Sequence, residues 1–140
     1  MARRLFLALL VGAWSVSLAA AGPAPRTIRV SMVSFKFEPN VIQLVAGERV
    51  VLELVNEDPH QRPHNLASEL FNQVELTVRG EFRLGTTADG RRFVFVDAGK
   101  RAEVEFTVPR LNSGQVGFLC SVGQHAAQGQ TGAFIVRLSP

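Results

Sequence analysis

From residue 27 onward, apolar and polar residues alternate in short runs broken by turn residues. Val50, Leu52 and Leu54 fall on one side of a run with Glu53 opposite, and Val104, Phe106 and Val108 fall on one side of another with Glu103 and Glu105 opposite. A period of two is that of a β-strand with one face in a core, whereas an amphipathic helix repeats every 3.6 residues. The pattern predicts strands over 27–33, 41–45, 50–55, 92–96, 102–108, 115–120 and 132–138, with a weaker one over 73–78. Turn signals separate them at Pro39-Asn40, Ala46-Gly47-Glu48, Ala88-Asp89-Gly90 and Asn112-Ser113-Gly114. About seven or eight strands with no long amphipathic helix make an all-β protein, a Greek-key β-sandwich or small barrel. The stretch from Leu66 to Asp89 fits this scheme least. Phe93 and Phe95 share one face of their run, and Val116, Phe118 and Cys120 share one face of theirs. The thiol therefore ends a core-facing stripe where a strand meets a loop.

The first 21 residues follow a different rule. Arg3 and Arg4 precede an apolar run from Leu5 to Leu18, and Ala19-Ala20-Ala21 supplies small residues for a signal peptidase. Residues 1–21 are expected to be a signal peptide, 22–27 a short extended linker with Pro23 and Pro25, and 28–140 one domain. Arg3-Arg4-Leu5-Phe6-Leu7 also has the look of a twin-arginine signal, which exports folded proteins. The chain then works in the periplasm, with no membrane association after cleavage. Without Arg3 and Arg4, 13 basic residues face 12 acidic ones, and the basic residues lie scattered, so the composition excludes a nucleic-acid partner. Trp14 is the only Trp and there is no Tyr, so a strong visible band from the mature protein would come from a bound cofactor.

Export changes the reading of Cys120, the only cysteine in 140 residues. An oxidising compartment favours disulfides, and one cysteine cannot form an internal one. It is buried and inert, paired to another chain, catalytic, or bound to a metal. The following loop, C-S-V-G-Q-H-A-A-Q-G-Q, places His125 close enough for its imidazole and the thiol to bind one ion, with Gln130 near the far end. His60 and His64 occupy the loop after the strand ending near Val55, which can approach from across a sandwich. Two imidazoles and a thiolate form the trigonal set that copper favours. His60, between Pro59 and Gln61, reads as a solvated loop residue.

The stretch F-E-P-N-V-I-Q-L-V-A-G-E-R-V-V-L-E-L-V-N, followed by His64-Asn65 and by C-S-V-G-Q-H, resembles the cupredoxins, the blue-copper fold of azurin and plastocyanin. The resemblance runs from about Ile28 to Leu138. It implies one type 1 copper ion with His64, Cys120 and His125 as equatorial ligands. Asn65 would then tie the loop of the first histidine to the loop of the cysteine. Such proteins usually have Met where this chain has Gln130, and the one methionine beyond the signal, Met32, lies in the first strand. An axial Gln130 would favour oxidised copper and lower the reduction potential.

The resulting expectation is a monomeric one-electron carrier, not an enzyme, that meets periplasmic redox proteins through an apolar patch at Ala126 and Ala127 beside His125. The rival readings are a copper-binding or delivery protein, and a Cys120 nucleophile paired with His125. The nucleophile would need an orienting group and an oxyanion hole, and the sequence identifies neither.

Overall fold

A computed structural model describes residues 22–138, so the expected signal peptide lies outside the described residues. The alternating runs form strands that bury one face each. In chain order these are β1 (Arg26–Val33), β2 (Lys36–Glu38), β3 (Val41–Val45), β4 (Arg49–Asn56), β5 (His64–Ser68), β6 (Thr77–Gly80), β7 (Arg83–Thr86), β8 (Arg92–Val96), β9 (Arg101–Thr107), β10 (Gln115–Leu119) and β11 (Thr131–Arg137), with a 3-10 turn at Glu69–Asn72. Two sheets pack face to face in the orders β2-β1-β4-β9-β6 and β3-β11-β10-β5-β8-β7. The pairs β1–β4 and β3–β11 are parallel and the others antiparallel. Val30, Leu52, Leu54, Val104 and Phe106 of the first sheet meet Leu44, Leu66, Val94, Phe118 and Phe134 of the second in one core. Fully burying one such side chain is worth about 1.5–3 kcal/mol. A one-residue slip of any central strand would turn several outward, which pins the register.

Among the described residues eleven strands replace the seven or eight expected, because three short ones carry little alternation. β7 is an edge strand in which Leu84 is exposed and Gly85 makes room for Phe93 of β8, whose ring reaches within 2.4 Å of where a Cβ would sit. β5 is buried along its whole length, so period two never shows. β2 has only three residues. The expected strand over 73–78 is confined to β6, because the carbonyls of Phe71 and Val74 are taken by the Arg92 guanidinium at 2.8 and 3.3 Å rather than by a ladder. Phe93 and Phe95 do share a face, but the core-facing residues of β8 are Val94 and Val96. β1 starts at Arg26, inside the expected linker over 22–27, where Arg26 pairs in register with Val50 and its guanidinium bonds Glu48.

The topology sets the site. β5 and β10 are antiparallel neighbours, with Ala67 opposite Leu119 and Ser68 opposite Phe118. The start of one therefore lies beside the end of the other, which brings His64 next to Cys120.

Candidate metal centre

Cys120 follows β10, and its Sγ is fully buried at the end of the stripe that Phe118 begins. The loop from Ser121 to Gln130 returns over it in tight turns, with backbone bonds from His125 to Val122 and from Gly129 to Ala126. Gln130 closes the loop twice: its N–H donates to the His125 carbonyl, and its carbonyl accepts from the Cys120 N–H, both at 3.0 Å. His64 is the first residue of β5 rather than a loop residue, and is fully buried. His60 is exposed and stands outside the cluster.

Three donor atoms converge. Cys120 Sγ lies 3.5 Å from His125 Nδ1 and 3.9 Å from His64 Nδ1, and the two nitrogens are 3.2 Å apart. A point in their common plane is about 2.1 Å from all three, which matches metal–imidazole and metal–thiolate bonds of roughly 2.0–2.3 Å. Among the described residues this is the one group of three His, Cys, Asp or Glu side chains placed to hold a metal ion.

The surrounding contacts fix how these atoms point. Asn65 ties the two loops: its Nδ2 donates to Ser121 Oγ and its Oδ1 accepts from the Ser121 N–H, both at 2.8 Å. Its own backbone N–H donates to Cys120 Sγ at 3.4 Å. His64 Nε2 lies 2.8 Å from Asp58 Oδ2, with both side chains fully buried. A carboxylate oxygen can only accept, so the proton sits on Nε2 and the Nδ1 lone pair faces the centre. The Phe35 ring meets His125 edge-on at 4.9 Å and carries the Arg62 guanidinium on its face at 4.1 Å.

Gln130 is fully buried; its Nε2 reaches the Lys36 carbonyl only at 3.4 Å, and its Oε1 has no partner of good hydrogen-bond geometry, only a weak pull on the His125 imidazole. An orphaned buried acceptor is costly and calls for a ligand.

The electrostatics agree with a metal site. Burial pushes the Cys120 thiol above its ordinary value against the pull of nearby backbone N–H groups, so the thiolate needs a cation beside it. Burial, with His64 and Arg62 nearby, holds the His125 imidazolium below its usual range and leaves a neutral donor. Burial alone would raise the Asp58 carboxyl, but His64, Arg62 and the amides of His60 and Ser34 outweigh it and keep Asp58 ionised.

Sequence reasoning missed Asp58, Arg62 and Phe35. The charged residues of N-E-D-P-H-Q-R-P-H just before His64-Asn65 were the available signal, whereas nothing local marks Phe35.

Two imidazoles and one thiolate, buried and nearly equidistant from one point, fit a single type 1 copper ion. Similar folds occur among solved structures. Auracyanin from the photosynthetic bacterium Roseiflexus castenholzii superposes with a TM-score of 0.60 at 17% identity, covering 82% of this chain and 99% of that one. Auracyanin A from Chloroflexus aurantiacus, described as a "blue" copper protein, gives 0.58 at 17% identity over 81% of this chain and 100% of its own. A multicopper oxidase from Campylobacter jejuni gives 0.60 at 10% identity over 88% of this chain but 32% of its own length. A search of curated proteins gave no match. The sequence matches the Cupredoxin-like domain family over residues 5–132. On that match the chain belongs to the cupredoxin-like family.

Proposed function

We propose that the protein is a periplasmic one-electron carrier in which His64 Nδ1, Cys120 Sγ and His125 Nδ1 hold copper and Gln130 Oε1 supplies the fourth ligand. The carrying observation is the convergence of three buried donors around one point within metal-bond reach of each. Copper supplies the one-electron chemistry, alternating between two oxidation states in a set of ligands acceptable to both. The protein keeps those ligands in place in advance: Asn65 locks the two loops, and the Cys120 and Gln130 backbones bond each other across the loop base. Little then needs to rearrange when an electron arrives or leaves. Water is kept from the thiolate because Cys120 and His64 expose no surface.

His125 is the ligand nearest solvent, at 8% exposed, with half-buried Ala126 and exposed Ala127 beside it. A small uncharged rim of this kind, with exposed Gln124 and Gln128 flanking the alanines, suits the small, weak interfaces of electron-transfer encounters, here with periplasmic redox proteins. An enzymatic role is disfavoured, because four side chains around one ion leave no position for substrate.

The test mixes the reduced, copper-loaded protein with an oxidised c-type cytochrome and, separately, with a metal-free copper acceptor. Electron transfer faster than copper loss, and slowed by Ala126→Asp, supports a carrier. Copper handover faster than electron transfer would make it a delivery protein instead.

A further inference from the structure

The loop between β4 and β5 winds around one carboxylate. Asp58 Oδ2 is 2.8 Å from His64 Nε2 and accepts from the Ser34 N–H at 3.1 Å, while Oδ1 accepts from the His60 N–H at 2.8 Å. Arg62 Nε donates to both oxygens at 3.3 and 3.1 Å, and its Nη2 reaches Oδ1 at 3.2 Å. Asn56 holds the loop from inside: its Oδ1 accepts from the Asp58 N–H, and its Nδ2 donates to the carbonyls of Arg62 and Val96. A carboxylate needed only to pair with Arg62 could stay at the surface with it. This one is fully buried, while Arg62 keeps 28% of its side chain in solvent.

A second observation comes from another part of the chain. Ser34 and Phe35 link β1 to β2 as a two-residue turn, with φ of 42° and 64°. That left-handed conformation normally calls for Asn or Gly in such a hairpin, and non-glycine residues hold it where the surroundings impose it. Here it aims the Ser34 N–H at Asp58, sets the Phe35 ring in a T-shaped contact with His125 and seats Arg62 on the Phe35 face. The contacts close a ring: His64 to Asp58, Asp58 to Arg62, Arg62 to Phe35, Phe35 to His125, and both imidazoles to Cys120.

We propose that Asp58 is a positioning residue for the metal: its carboxylate fixes His64 with Nδ1 inward, supplies a buried negative charge just outside the ligands that favours oxidised copper, and braces His125 through Arg62 and Phe35. This rests on the copper reading of the cluster. A carboxylate behind a ligating imidazole makes that imidazole a stronger donor. A fixed negative charge stabilises the more highly charged copper(II) more than copper(I). Arg62 opposes it, so the two charges tune the site in opposite senses.

The test uses the exported protein, with Asp58→Asn and Arg62→Gln variants. In the metal-free wild type, nitrogen-15 NMR at a pH where His64 is neutral should find its proton on Nε2 rather than Nδ1. Asp58→Asn should lose copper(II) affinity by about 10–100-fold and copper(I) affinity by less. Each tenfold difference between the two raises the potential by about 59 mV. Arg62→Gln should lower the potential. Potentials that stay at the wild-type value, or move the same way in both variants, overturn the charge role; a neutral His64 with its proton on Nδ1 instead of Nε2 overturns the positioning role even if Asp58→Asn fails to fold. A wild type that takes up no copper, yet keeps the Nε2 proton, sinks the copper reading and leaves the positioning of His64 standing.

Discussion

Replacing Gln130 with Met separates what the amide costs from what it does. In the metal-free protein its Oε1 is buried without a partner of good hydrogen-bond geometry, and its Nε2 makes one hydrogen bond at the limit of reach. An unsatisfied buried acceptor costs about 1–3 kcal/mol. Methionine fills a similar volume with no acceptor needing a partner, so Gln130→Met should stabilise the metal-free protein by that amount. For a domain of this size each kcal/mol moves Tm by roughly 3–6 °C, so the metal-free variant should melt at least about 3 °C higher. Copper should shrink or reverse this gap, because Oε1 then gains a partner and the metal adds its binding energy to folding. The amide oxygen is also the harder donor and favours copper(II), so the wild type should have the lower reduction potential. The assay is calorimetry with and without copper, alongside spectroelectrochemistry of both proteins. A metal-free variant less stable than wild type would show that Oε1 is not orphaned. A wild-type potential equal to or above the variant's would remove Gln130 from the ligand set.

Three further outcomes follow from particular contacts. A Cβ on Gly132 would sit 2.3 Å from the Asn40 carbonyl oxygen and 2.3 Å from Phe118 Cζ, whereas one on Gly117 meets nothing closer than 3.8 Å. Gly132→Ala should therefore cost about 1–3 kcal/mol or more in urea unfolding, while Gly117→Ala should be neutral or better. Asn65→Ala removes both side-chain bonds to Ser121 between the ligand loops and should destabilise the metal-free protein by about 1–3 kcal/mol, while lowering copper affinity in a chelator competition. Asp58 is held below the usual carboxylate range when folded. Its contribution is thus complete above the unfolded value near about 3.9 and lost as pH falls below it. Asp58→Asn should cost about 3 kcal/mol at pH 7, the low end for a buried pair because Arg62 stays partly solvated. Denaturation at about pH 3 should show that gap narrowing, and a constant gap would contradict the assignment.

The sandwich was legible because β9 alternates residue by residue and β4 sets Val50, Leu52 and Leu54 opposite Glu53, so their faces could be read directly. Cys120, His64 and His125 were legible for a different reason, since a lone thiol and two histidines, in a chain whose first 21 residues read as an export signal, narrow the chemistry by elimination and by family likeness. β5 and β7 were not legible: one is buried on both faces and the other is an edge strand, so neither shows period two. Asp58 and Phe35 were hidden by distance. Their roles depend on a loop and a hairpin turn from separate parts of the chain meeting behind the imidazoles, and no local spacing encodes that meeting. The left-handed Ser34–Phe35 turn is the clearest case, because neither residue advertises that conformation in sequence.

Whether the thiolate and both imidazoles share one copper ion is tested most directly by titrating the purified metal-free protein with copper(II) while recording its absorption and spin-resonance spectra. The expected result is saturation at one equivalent with an intense visible charge-transfer band that vanishes in Cys120→Ser and is weakened or lost in His64→Ala. A protein that stays colourless, or a band that survives the loss of Cys120, would contradict the account.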